Sequence, residues 1–183
     1  MNLIDTFQNL VANVPDLLQP LIVAGAAAIP FVEGEGAAAI GIVGGVNPVI
    51  AAAAAIIGNF VCVTVLVLLA ARTRSAVVTA HRARRLVAAG GAEADAVADA
   101  PAPAAADDRG SARRAKFQRA FERYGVPGVS LLGPLLLPTQ FTATMLAGAG
   151  VGTVRILAWQ AVAIVGWTTL LTLVITGVVA VAH

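Results

Sequence analysis

The sequence predicts an all-α membrane protein: an inverted repeat in which a re-entrant helical hairpin precedes a transmembrane helix twice, with interfacial amphipathic helices. Three observations carry this expectation. Hydrophobic residues make up 58% of the 183 positions, and a mean hydropathy of +0.86 lies well outside the soluble range. Every Lys and Arg lies between Arg72 and Arg155. The chain also matches itself: the offset that carries Pro30 onto Pro138 also pairs Gly25 with Gly133, Gly44 with Gly152, Ile56 with Ile164, Gly58 with Gly166 and Thr64 with Thr172.

The elements follow from these runs. The first residues, MNLIDTFQNL, carry Asp5 and no positive charge, so they do not read as a cleaved signal peptide. Leu3, Phe7, Leu10, Val11 and Val14 share one helical face, which suits a short helix at the interface or an ordinary amphipathic cap. A membrane-crossing helix needs roughly 20 apolar residues. Only 48–71 and 156–182 qualify. The runs 17–29, 37–46, 126–137 and 141–151 are shorter, and Pro30, Asn47 with Pro48, Pro138 and Gly152 stop them. Segments of about that length suit re-entrant hairpins better than full spans.

Charge separates hairpins from spans. Positive loops stay in the cytoplasm, so the Arg-rich centre belongs there and both termini, free of Lys and Arg, belong outside. A fully crossing 17–29 would put the acidic N-terminus inside and bury Arg155 within one long apolar helix. Two hairpins instead place Arg155 on the cytoplasmic rim of the last span. One span then separates the hairpins, so they enter from opposite sides and the repeats are inverted. Inverted repeats with broken helices are a transporter architecture whose site forms near the midplane, where irregular backbone must line protein or a polar cavity.

The chain thus divides into repeat 1 (1–71, tip near 30–36), a cytoplasmic piece (72–112) and repeat 2 (113–183, tip near 138–142). Within the middle piece 72–85 reads as a basic helical extension, and the Ala/Pro/Asp-rich stretch 90–110 lacks a packable face. In 113–124, Phe117, Phe121 and Tyr124 are flanked by Arg113, Arg114, Lys116, Arg119 and Arg123. That pattern suits a basic helix on an anionic membrane surface, or charges that only set topology.

The candidate site follows from cost. Glu33 and Glu35 sit in an apolar tract with no Lys or Arg before Arg72, and a carboxylate in a membrane costs about 2.5–3.5 kcal/mol even on permissive scales. Burial and mutual repulsion favour the protonated form of such groups, so the pair is expected to share protons near neutral pH or to bind a cationic head group. Residues two apart on a helix diverge, so both face one cavity only if the Gly34 and Gly36 turn is unwound, which glycine permits. Thr139, Gln140, Thr142 and Thr144 at the second tip offer neutral donors and acceptors, or simply cap broken helix ends. Arg155 reads as a rim anchor or a head-group contact. Cys62, the one cysteine, rules out an internal disulfide. No nucleophile triad, metal spacing or phosphate loop appears, so the sequence speaks against an enzyme and calls for no cofactor, no metal and no nucleic acid.

Two stretches, IPFVEGEGAAAIGIVGGVNPVIAAAAAIIGN (29–59) and FERYGVPGVSLLGPLLLPTQFTATMLAGAG (121–150), resemble the small multidrug export protein family within the DedA (VTT-like) superfamily of membrane proteins. The resemblance covers all but 86–112. It implies paired re-entrant hairpins in a bacterial inner membrane, an acidic tip residue at Glu33, and movement of lipids, either polyprenyl phosphates or phosphatidylethanolamine, across the bilayer. Relatives commonly carry an Arg near a tip; here Glu35 and the Thr139, Gln140, Thr142 group stand there. The expected function is therefore a lipid transporter of the flippase or scramblase kind, with proton coupling at the glutamates. A proton-coupled exporter of small cationic drugs and a structural membrane protein are the alternatives. The small lipid-facing body is compatible with a homodimer.

Overall fold

A computed structural model describes residues 6, 7, 9, 13–88 and 125–182. The regular elements among them are all helical: α1 (Gln19–Ala27), α2 (Glu33–Val43), α3 (Pro48–Ala88), α4 (125–132) continuing into a 3-10 turn Gly133–Leu135, α5 (Thr139–Gly148) and α6 (Thr153–Ala182). The stretch 89–124, with Arg123, the Ala/Pro/Asp-rich linker and the expected second interfacial helix, lies outside the described residues. So does most of the expected first one. Phe7, which is described, packs against the core formed by α1, α2 and α3.

Two helices, Pro48–Arg85 and Thr153–Val181, are long and apolar enough to cross a membrane. Little of either is covered, with only 28% and 22% of their most apolar stretches buried inside the protein. Val49, Ile57, Val61 and Leu69 on α3, and Leu170, Leu173, Val174, Val178 and Val181 on α6, stand exposed. Continuous apolar faces of this size need an apolar surrounding. At 1.5 Å per residue α3 runs about 60 Å, twice a hydrocarbon core, so its basic half from Arg72 projects beyond the apolar part.

The short helices come from local breaks. Pro20 opens α1 at a position where its missing N–H is harmless. The chain turns over 28–32, where Ile29 O accepts from the amides of Val32 and Glu33. Phe31 and Glu33 take left-handed backbone angles there, φ +71° and +52°. Gly45, at φ +91°, and Asn47, whose Oδ1 accepts the Val49 amide at 3.0 Å, turn the chain from α2 into α3. In the second half Pro138 closes the break after the 3-10 turn, and its carbonyl receives the amides of Phe141 and Thr142.

Packing puts α3 at the centre, in contact with α1, α2, α5 and α6. One core joins Val23, Ala26, Ala37, Ala38, Ala51 and Ala55 with Ile175; the other joins Val63, Val67, Val126, Val129, Leu146, Ile156 and Ile164. The start of α3 thus packs beside the end of α6 and the middle of α3 beside the start of α6, so the two long helices are antiparallel. Small residues allow the close approach on which helix pairs in lipid rely. A Cβ on Gly58 would lie 2.1 Å from the Ala24 carbonyl oxygen, so α1 rests directly on the α3 backbone.

Candidate functional site

The site forms where the two breaks meet. Glu33 is the first residue of α2 and only 6% exposed. Its Oε1 accepts two hydrogen bonds from Thr139, the first residue of α5: one from the amide and one, at 2.5 Å, from the hydroxyl. The amide is one of the unpaired N–H groups at the start of a helix, so the carboxylate of one half caps the short helix of the other. Beside this pair the rings of Phe31 and Phe141 lie 6.4 Å apart and tilted.

Gln140 and Thr142 are buried with Thr139. Gln140 Nε2 donates to Asn59 Oδ1 of α3 at 3.4 Å, while the Thr142 hydroxyl turns back to Pro138 O at 3.0 Å. Thr144 likewise bonds back to Gln140 O. Thr142 and Thr144 thus bond back along their own helix and cap no helix end, whereas Thr139 and Gln140 reach other elements. Trp167 Nε1 donates to Leu131 O at 2.8 Å and ties α6 to α4.

Three expectations need correction. The helix after the first tip begins at Glu33, not near Ala37, so Gly34 and Gly36 are helical and do not form an unwound tip. The left-handed angles fall on Phe31 and Glu33 instead. Gly34 serves packing: a Cβ there would stand 2.3 Å from Thr168 Oγ1 of α6. As a consequence the two carboxylates diverge along helical turns; Glu33 is buried against α5, while Glu35 is half-buried and makes no hydrogen bond to Thr139. Pro30 lies in the turn itself and is exposed, and Pro138 precedes α5 and is buried. Arg155 stands exposed in the first turn of α6.

Arg72, Arg74, Arg82, Arg84, Arg85 and Arg155 are the described basic residues, and all are exposed. Arg74 Nε donates to Gly148 O at the end of α5, where a positive charge suits the helix dipole. Around Glu33, α5 carries no titratable side chain and α2 carries Glu35; on α3 the Cys62 thiol donates to Ala28 O at 3.5 Å.

The sequence reading missed several buried polar groups. Ser130, Gln160, Thr168 and Thr172 are buried, and their side-chain polar atoms have no hydrogen-bond partner among the described residues; the same holds for Asn59 Nδ2, Gln140 Oε1 and the hydroxyl of Thr176. Their spacing was the available signal for three of them, since Thr168, Thr172 and Thr176 recur every four residues along α6 and so share one face.

No family model, curated protein or solved structure matches the chain. Fold and site together define an all-helical protein with two membrane-length helices and a buried carboxylate joining two helix breaks.

Proposed function

We propose that this protein is a transporter of the cytoplasmic membrane that moves the polar head group of a lipid, polyprenyl phosphate or phospholipid, past the junction of its two helix breaks. The observation that carries the reading is the buried Glu33 held by Thr139: an acidic group buried in a lipid-facing body is retained for function. In this reading the paired short helices are re-entrant hairpins, the central Arg-rich segment is cytoplasmic and both termini are outside.

An inverted repeat belongs to the same reading. The offset that carries Pro30 onto Pro138 carries Phe31 onto Thr139 and Glu33 onto Phe141, so exchanging the halves turns the Glu33–Thr139 contact into the Phe141–Phe31 contact. Contacts of α2 with α6 and of α5 with α3 exchange in the same way. With α3 and α6 antiparallel, such an exchange is a two-fold rotation about an axis across the helices. The likeness of 29–59 and 121–150 to the small multidrug export family of the DedA superfamily points the same way.

The test is head-group translocation in proteoliposomes with a labelled polyprenyl phosphate and a labelled phosphatidylethanolamine, for wild type and Glu33→Gln. Transport by wild type that the variant lacks is the expected result; no movement of either lipid above empty vesicles rejects the reading. A second reading, proton-coupled export of cationic drugs, is favoured by one observation: no described basic side chain stands beside Glu33. It predicts drug tolerance that Glu33→Gln abolishes.

A further inference from the structure

Threonines inside helices ordinarily satisfy their hydroxyls by bonding back to the carbonyl four residues earlier. This chain does so repeatedly: Thr64 to Phe60 O, Thr73 to Leu69 O, Thr79 to Ser75 O, Thr142 to Pro138 O and Thr144 to Gln140 O. Thr168, Thr172 and Thr176 do not. Their hydroxyl oxygens are buried and have no partner among the described residues, although each has a helical carbonyl four residues behind it.

These three residues are four apart, so their hydroxyls climb one stripe of α6 in steps of about 6 Å. The inner end of the stripe is the site, because Thr168 stands against Gly34, the neighbour of Glu33. Exposure rises outward: Thr168 is 0% exposed, Thr172 8%, and Thr176 partly exposed. Thr176 is followed in α6 by the six residues 177–182, about 9 Å of helix. The residue that the repeat offset pairs with Thr172 is Thr64, whose hydroxyl is turned back onto its own helix, so the stripe belongs to one half alone.

A buried hydroxyl left unpaired is destabilising, and a bridging water removes that cost. Three such hydroxyls stand in a line that starts beside a buried carboxylate and runs toward the end of α6. We propose that Thr168, Thr172 and Thr176 line a narrow water file that connects Glu33 with the membrane face at the C-terminal end of α6. Water in this file solvates the carboxylate and carries its protons. The file gives the Glu33 site of the preceding section its access route, and that purpose rests on the transport reading; the file's existence does not.

The test uses silver ion, a thiol reagent small enough to travel where single waters do. In a Cys62→Ser chain reconstituted in liposomes, Thr168→Cys, Thr172→Cys and Thr176→Cys are compared with the lipid-facing Leu173→Cys and Val174→Cys. Silver is applied to both faces, and protected thiols are counted after unfolding. Only thiolate reacts, and each unit by which an apolar setting raises a thiol pKa lowers the thiolate fraction about tenfold. The three file positions are therefore expected to react at least about tenfold faster than the controls, in the order 176, 172, 168. Rates equal to the controls, or fastest reaction at 168, overturn the proposal.

Hydroxyl-radical labelling of the unsubstituted chain gives a second reading that no variant can perturb. Ile175, which faces inward between Thr172 and Thr176 and packs on the first core, is expected to oxidise faster than Leu173 and Val174. Equal oxidation also overturns the file. A chain that shows the file but moves no lipid loses the transport reading alone; one that moves lipid with a dry stripe loses the file alone.

Discussion

Glu33 and Thr139 lie at the first turns of two short helices from opposite halves of the chain, and the carboxylate of one takes both the amide and the hydroxyl of the other. Residues that begin helices have unpaired amides, and a buried carboxylate needs donors. Each therefore meets the other's need, and the contact holds the two breaks together.

The first prediction separates chemistry from structure at this contact. Gln in place of Glu33 keeps an oxygen that can accept from Thr139, whereas Ala leaves its buried amide and hydroxyl unpaired, at a cost of about 1–3 kcal/mol. Thermal unfolding in detergent micelles should find Glu33→Gln close to wild type and Glu33→Ala clearly less stable. Translocation should fall in both.

The second concerns Gly34. Ala there brings a methyl 2.3 Å from Thr168 Oγ1, and overpacking of this kind costs about 1–3 kcal/mol. Thr168→Ala removes the clashing oxygen. The double variant should therefore be more stable than the sum of the two singles, a non-additivity of the size expected for residues in contact, about 0.5–3 kcal/mol.

Gly58 and Gly166 occupy corresponding positions under the repeat offset but differ in surroundings. A Cβ on Gly58 meets the Ala24 backbone, which cannot swing aside, while one on Gly166 meets nothing within 4 Å. Gly58→Ala should destabilise. Gly166→Ala should be neutral or stabilise by up to about 1 kcal/mol through helix propensity. Unfolding of both variants under one set of conditions checks the contrast.

Phe31 adopts φ +71°, a conformation that costs an L residue roughly 1–2 kcal/mol more than glycine. Phe31→Ala and Phe31→Gly both lose the ring contact with Phe141. The Gly variant should therefore be the more stable of the two by about 1 kcal/mol, and equal melting temperatures would contradict this.

The sign of the pH dependence discriminates the two functional readings. Protonation of Glu33 and Glu35 removes negative charge from the site, so binding of an anionic head group should strengthen as pH falls. Binding of a cationic compound should weaken. Titrating both ligand types against wild type and Glu33→Gln across mildly acidic to neutral pH shows which sign holds, and the variant should flatten it.

Much of this protein is legible in its sequence because it depends on local runs. The long helices follow from uninterrupted apolar stretches before Arg72 and after Arg155. Their apolar length is a property of neighbouring residues. Pro30 and Pro138 mark the breaks because proline disrupts a helix wherever it sits. The basic extension of α3 is likewise written in its own residues.

Tertiary structure decided what depends on residues far apart in the chain. Sequence spacing treated Glu33 and Glu35 as a pair, but continuation of the helix through Gly34 and Gly36 divides them, and a contact with Thr139 selects Glu33. The glycines looked like an opening in the helix; the nearness of Thr168 shows that Gly34 makes room for α6. Thr168, Thr172 and Thr176 look in sequence like threonines that satisfy themselves, as Thr64 does. Only the packing of α6 against the other helices reveals that their hydroxyls are buried without partners, because a side chain's hydrogen bonds depend on which surfaces meet, and local sequence does not specify that.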